Sequence, residues 1–220
     1  MALSDILYPD NPARRERMVR LHQEMINCIE LNFDATNELI GALNTHCQCK
    51  LDPIKMNMKG TIRENCDIFL AAIKSIQDKL QAIDERLKRE LEPVLYQKLH
   101  DFEETDTTKM QILRNVVTGV SGFTGVVAIG IFIKLASPVV SRVLSQMSTL
   151  LVKISTSVIG AVAGMFLGVG VDLILSAILG AVERDQLEAK IRELNALVSE
   201  FKPASQKYYK TIIKISCKLP

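Results

Sequence analysis

The stretch TIRENCDIFLAAIKSIQDKLQAIDERLKRE, residues 61–90, decides the fold class. It opens on a capping box: Thr61 and Glu64 stand where each side chain can satisfy an orphan backbone amide at a helix start. Ile62, Cys66, Phe69, Ile73, Ile76, Leu80, Ile83 and Leu87 then alternate spacings of four and three. That is a heptad seam, with Cys66, Ile73, Leu80 and Leu87 at a and Ile62, Phe69, Ile76 and Ile83 at d. Isoleucine-rich d positions disfavour a simple parallel dimer and favour a bundle of more helices, which the same chain can supply.

The flanking sequence continues the helical theme. Asn11-Pro12 is a helix start, and Met18, Leu21, Met25, Ile29, Phe33, Ile40 and Leu43 recur at helical spacing. The spacing predicts a helix over 12–44, then a loop over 44–60 containing Pro53 and Gly60. Downstream, Pro93 kinks or restarts the helix, and a further run through Leu95, Leu99 and Phe102 leads to Met110. The absence of Trp and an aromatic content of 5% suit long helices better than a sheet.

Charge divides the chain. Between residues 115 and 182 the only charged residues are Lys134, Arg142, Lys153 and Asp172. An apolar insert thus separates two charge-rich arms, giving expected boundaries of 1–110 for a helical coiled-coil arm, 111–182 for a membrane insert and 183–220 for a C-terminal helix with a basic tail. The insert has two uncharged parts. The first, 115–133, is about 28 Å long as a helix and contains Gly119, Gly122, Gly125 and Gly130. The second runs from Ile154 to Val171, or to Val182 if Asp172 is tolerated, and is the stronger spanning candidate. Lys134 to Lys153 form a connector whose helix is expected to start at Ser137-Pro138, with Val139, Val143, Met147, Leu150 and Ile154 on one side.

Gly160, Gly164, Gly168, Asp172, Ser176 and Gly180 stand four apart in the second part. On a helix they share a face, a glycine-zipper stripe on which a second helix packs closely. That partner is either a segment of the same monomer or another copy. Asp172 on the stripe either pairs with Lys153, Arg142 or Lys134 in a helix contact, or marks the water boundary where the membrane segment ends. Leu187, Ile191, Leu194, Val198 and Phe201 then resume the four-three spacing, so the helix is expected to run on until Pro203 breaks it. A short basic amphipathic helix through Tyr208, Ile212 and Ile215 closes the chain.

The remaining features point away from chemistry. No P-loop, GxGxxG after a strand, HExxH or CxxC pair is present, and His22, His46 and His100 lie in different elements. The expectation is no enzyme, no cofactor, no small-molecule substrate and no nucleic-acid partner. Arg14, Arg15, Arg17 and Arg20 read as a solvated helix face. The five cysteines, Cys28, Cys47, Cys49, Cys66 and Cys217, read as reduced thiols. His46, Cys47 and Cys49 lack the second half of a zinc motif, and Cys217 lacks the final residue of a prenylation signal. The opening MALSDILYPDNPARRER has no signal-peptide pattern, which places the N-terminal arm in the cytosol as an expectation.

MALSDILYP at 1–9, GTIRENCDIF at 60–69, AILGAVE at 177–183 and EFKPASQKY at 200–208 together resemble the vertebrate family of single-pass membrane and coiled-coil domain-containing protein 3. The resemblance spans nearly the whole chain and implies a membrane-anchored coiled-coil protein; it carries over no functional residues. The second apolar segment, 115–133, departs from a single pass, and Lys or Arg on both sides of 154–182 leaves orientation balanced.

The expected fold is all-α: a long helical bundle or coiled coil with a Gly-rich apolar transmembrane helix or helical hairpin. Helices 12–44 and 61–110 would pack with 183–202, and the insert would anchor them in a bilayer as an integral membrane protein. The expected role is helix–helix interaction, with itself or with a coiled-coil partner. The alternative is a protein like the α-helical pore formers, whose hydrophobic head inserts and oligomerises; this is analogy of plan. A third reading hides the whole insert inside a soluble bundle.

Overall fold

The computed structural model describes residues 11–91, 93, 96–97, 125–157 and 184–217. Its elements are four long helices: α1 (Asn11–Cys47), α2 (Ile62–Glu90), α3 (Gly125–Thr156) and α4 (Arg184–Ser216). The all-α class stands. The capping box at the start of α2 is present in full: Thr61 Oγ1 accepts from the Glu64 amide at 3.1 Å and Glu64 Oε2 accepts from the Thr61 amide at 2.6 Å.

Cross-links between helices give their directions. Arg14 pairs with Glu188, Lys202 with Glu24, and Thr36 with Tyr208. Numbers rise together, so α1 and α4 run parallel. The Arg63 guanidinium donates to the Ser155 carbonyl at 2.8 Å, while Asp84 pairs with Lys134. Here numbers run opposite, so α2 and α3 are antiparallel. Lys153 bridges to Glu200 at 2.8 Å and joins α3 to α4. Phe69 of α2 meets Phe33 of α1 at 5.5 Å and Tyr208 of α4 at 5.8 Å between ring centroids. One core therefore runs through all four helices.

The packing differs from the expected bundle in one respect. The main neighbour of α2 is α3, and that of α1 is α4. Residues 125–156, expected as part of an insert, are a full member of the bundle: Ile133, Val140, Val143, Leu144, Met147, Leu150, Leu151 and Ile154 are buried. Their side chains sit opposite the heptad of α2. A face that apolar satisfies a protein core as well as a lipid tail, and sequence alone does not separate the two.

Two prolines sit inside helices, where a helix start was expected at Pro138 and a break at Pro203. Pro138 lies within α3, which begins well before it, and Pro203 lies within α4, which does not end there. A proline in a helix interior costs about 3 kcal/mol. Both rings are exposed, and buried side chains flank each one: Ala136 and Val140 around Pro138, Phe201 and Ala204 around Pro203. Burial of these neighbours keeps the helix going. At its other end α1 outruns the expected 44 and closes at Cys47.

The loop after α1 folds back along it and is pinned by asparagines. The Asn44 side chain donates to the Leu51 carbonyl and accepts from its amide, both at 2.7 Å. Asn37 does the same to Ile54, at 2.9 and 2.8 Å. Seven helical residues rise about 10.5 Å, and three extended residues cover about 10 Å; the two ladders therefore match. Asn65 holds Asn57 in the same two-handed way, at 3.0 and 2.7 Å.

Candidate functional site

Among the described residues no helix is long and apolar enough to cross a membrane. The hairpin expectation changes accordingly. The described part of the first segment, 125–133, begins α3, and Ile154 lies in the last turn of that same helix. Ile133 and Ile154 are thus held about 32 Å apart along one axis, not side by side. The connector between them is helical, as expected, but continuous with the residues before Ser137. The stripe Gly160, Gly164, Gly168, Asp172, Ser176 and Gly180 falls outside the described residues, as do 98–124 with Leu99 and Phe102.

What the structure does describe is how the run 158–182 is attached. Upstream, α3 closes at Thr156, and the Ser157 amide lies 3.1 Å from the carbonyls of both Lys153 and Ile154. The Arg63 contact to Ser155 fixes that end against the start of α2. The Lys153–Glu200 bridge sets it level with the middle of α4. Downstream, α4 starts at Arg184, about 24 Å before Glu200. Its first turns are tied to α1 by Arg14 and Glu188 at 2.7 Å.

The heptad residues form one face. Ile62, Cys66, Phe69, Ile73, Ile76, Leu80 and Leu87 are buried, and Ile83 is half-buried. The seam is occupied within the monomer, by α3 over most of its length and by Phe33 and Tyr208 at Phe69. Burial and the charge of Asp67 push the Cys66 thiol up to about 12, so it is an inert core residue. At the far end Asp84 pairs with Lys134, and the Tyr96 hydroxyl donates to Asp84 at 3.1 Å.

The α1–α4 seam holds polar groups that the heptad reading did not single out. Thr36 Oγ1 donates to the Asn32 carbonyl at 2.6 Å, which uses its one proton. Tyr208 therefore donates to Thr36 at 2.7 Å. The Ser205 hydroxyl sits 3.2 Å from the Cys28 carbonyl and 3.1 Å from Asn32 Oδ1. Burial raises Tyr208 far above its ordinary range, so it stays a neutral donor. His22 is 1% exposed and its Nε2 has no hydrogen-bond partner; the Asn32 amide nitrogen also lacks one. Burial lowers His22 to about 4, so it is neutral in the folded protein.

The sequence that builds this geometry matches a family model. Residues 14–173 match DUF4533, a family described as proteins of unknown function. The chain belongs to the DUF4533 family. The DUF4533 match takes in α1 from Arg14, α2, α3 and the first part of the apolar run, and stops before α4. No solved structure matches the chain.

Sequence reasoning missed the asparagine clamps and the Thr36–Tyr208 pair. The only local signal was polar residues on a buried face, Asn32 and Thr36 four apart beside Phe33. Their partners lie across the fold, where no spacing rule reaches. Among the described residues no group of three His, Cys, Asp or Glu side chains is placed to hold a metal ion.

Proposed function

We propose that this DUF4533 protein is a non-catalytic helical scaffold, held on a lipid bilayer by its apolar run 158–182 and acting through helix–helix contacts. The observation that supports it is where the run joins the bundle. Ser157 and Arg184 both belong to one packed body. A single crossing would put them on opposite sides of about 30 Å of hydrocarbon and pull α4 from α1 and α3. Two crossings need about 40 residues, more than 158–182 contains. A run that keeps the bundle closed enters from one side and returns, leaving α1 and α4 on the same, cytosolic side. Membrane attachment agrees with the likeness to the single-pass membrane and coiled-coil family; one-sided entry departs from its single pass. The glycine stripe offers a close-packing face to a neighbouring helix or a second copy.

The unpartnered His22 and Asn32 nitrogens in the α1–α4 seam favour a second reading. A seam with unsatisfied polar groups separates at lower cost than an apolar one. A head that inserts by opening that seam would act like an α-helical pore former.

Flotation of the full chain with dye-loaded liposomes, with a protease site before α1 and another after α4, separates these readings. We expect flotation, no dye release and cleavage at both sites from outside. Protection of one site alone establishes a crossing and overturns one-sided entry. Dye release supports the pore-former reading. Failure to float removes membrane attachment altogether.

A further inference from the structure

Cys47 ends α1, and Cys49 follows after one residue. Thiols at i and i+2 do not meet in regular structure. On a helix they point to nearly opposite sides, and on a strand they stand about 6.6 Å apart. Here the backbone leaves both patterns. Gln48 has φ 56° and Lys50 has φ 54°, so two non-glycine residues flanking Cys49 adopt the left-handed conformation. Each is strained relative to the right-handed form. Gln48 fills the helix-closing position usually given to glycine, and its amide donates to the Asn44 carbonyl at 3.2 Å. The Cys49 amide reaches back to the Leu43 carbonyl at 3.5 Å, and Asn44 clamps Leu51 just beyond. This double turn folds Cys49 back onto Cys47. Cys49 Sγ lies 4.0 Å from the Cys47 carbonyl oxygen, and each thiol shifts the titration of the other.

We propose that Cys47 and Cys49 form a reversible dithiol–disulfide site that reacts with small disulfides of the glutathione type. Three features support it: Cys49 Sγ is turned back onto the Cys47 backbone, strained backbone holds that turn, and one thiol is reachable. Cys47 is half-buried, whereas Cys49 is 7% exposed. Hydrogen bonding between the two thiols lowers Cys49 to about 7 and raises Cys47, so the pair shares one proton, and Lys79 of α2 adds positive charge on the Cys49 side. The pair therefore holds one thiolate near neutral pH.

The exchange proceeds in two steps. Cys47, the half-buried thiol, gives up its proton to the Cys49 thiolate and attacks one sulfur of glutathione disulfide. A Cys47–glutathione bond forms, the glutathione S–S bond breaks, and one glutathione thiolate leaves. Cys49, its proton passing to that thiolate, then attacks Cys47 Sγ. The Cys47–Cys49 bond forms and the second glutathione leaves, taking a proton from solvent. Two thiols are oxidised, one glutathione disulfide is reduced to two glutathione molecules, and one proton has passed through solvent. Cys28 and Cys66 are buried, and no second cysteine is among the groups that shift either thiol, so they take no part.

Equilibration of the full chain in glutathione buffers of graded ratio, followed by alkylation and peptide mass analysis, tests the site. The expected result is loss of two hydrogens from the peptide carrying Cys47 and Cys49, with a single midpoint, while Cys28 and Cys66 stay reduced. Phenylarsine oxide, which captures paired thiols, should protect both cysteines from alkylation in the reduced chain and leave the remaining Cys49 unprotected in Cys47→Ser. The half-exposed Cys47 makes that variant the one least disturbing to the core. A glutathione adduct that persists on Cys47, a disulfide to Cys217, or no arsenical protection of the folded wild type each overturns the proposal.

Discussion

The two helix pairs of this bundle hold together by different means. The α2–α3 seam is antiparallel and apolar, with the heptad from Ile62 to Leu87 facing Ile133 to Ile154. The α1–α4 seam is parallel and threaded with polar groups, including Asn32, Thr36, Ser205, Tyr208 and the lone His22. An apolar seam is non-directional, and many registers satisfy it equally well. A buried hydrogen bond is satisfied in one register only, because a displaced partner leaves a desolvated group unpaired. The polar seam thus fixes how segments some 170 residues apart align, where short-range pattern cannot. It also makes that seam the weaker one whenever a partner is missing.

Phe69 touches both seams, so it is the place to break the comparison outright. Phe69→Ala removes a fully buried ring from between Phe33 and Tyr208. We expect a loss of about 3–5 kcal/mol in denaturant unfolding. A loss under about 1 kcal/mol would mean that the seams do not share a core.

Acid should act on the polar seam through His22. His22 titrates at about 4 folded against 6.5 unfolded. Its folded pKa is depressed, so the unfolded chain binds the proton first. The contribution is fully present above 6.5 and is lost as pH falls from 6.5 towards 4, by up to about 1.4 kcal/mol per pH unit. Unfolding curves of wild type and His22→Leu between pH 7 and 4 should diverge in slope across that window. Parallel slopes would show that His22 takes no part.

The hydrogen bond across the polar seam gives a smaller, more specific effect. Thr36→Val leaves the Tyr208 hydroxyl buried without its acceptor and should cost about 1–3 kcal/mol. Tyr208→Phe added to Thr36→Val should recover part of that loss, a coupling that a double-mutant cycle measures directly. Simple additivity would place the pair's effect elsewhere.

The rim of the same seam should matter least. Lys202 and Glu24 meet at 3.0 Å with side chains 48% and 35% exposed. Glu24→Gln should shift stability by less than about 1 kcal/mol, less still in high salt. A larger shift would move register control from the buried groups to the surface.

The contrast also explains what could be read in advance. The heptad of α2 was legible because burial on one helix face repeats at a short, fixed interval. The Thr61–Glu64 cap was legible because both partners lie within one turn. The prolines were misread because their intrinsic penalty is local, whereas the burial that offsets it, at Phe201, Ala204 and Tyr208, depends on α1. Residues 125–156 were set apart as an insert because apolar character does not say whether lipid or protein covers it. The stripe from Gly160 to Gly180 lies outside the described residues.

The amino-acid sequence by itself determined helices, their buried faces and the uncharged run between two charged arms, since each follows from interactions within a few residues. Only the tertiary structure decided that α3 completes the heptad of α2, that α1 and α4 run parallel, and that Cys49 turns back on Cys47. The first two depend on contacts between distant parts of the chain. The third needs the loop held in place by Asn44, whose pairing with Leu51 exists only once α1 and the returning chain are side by side.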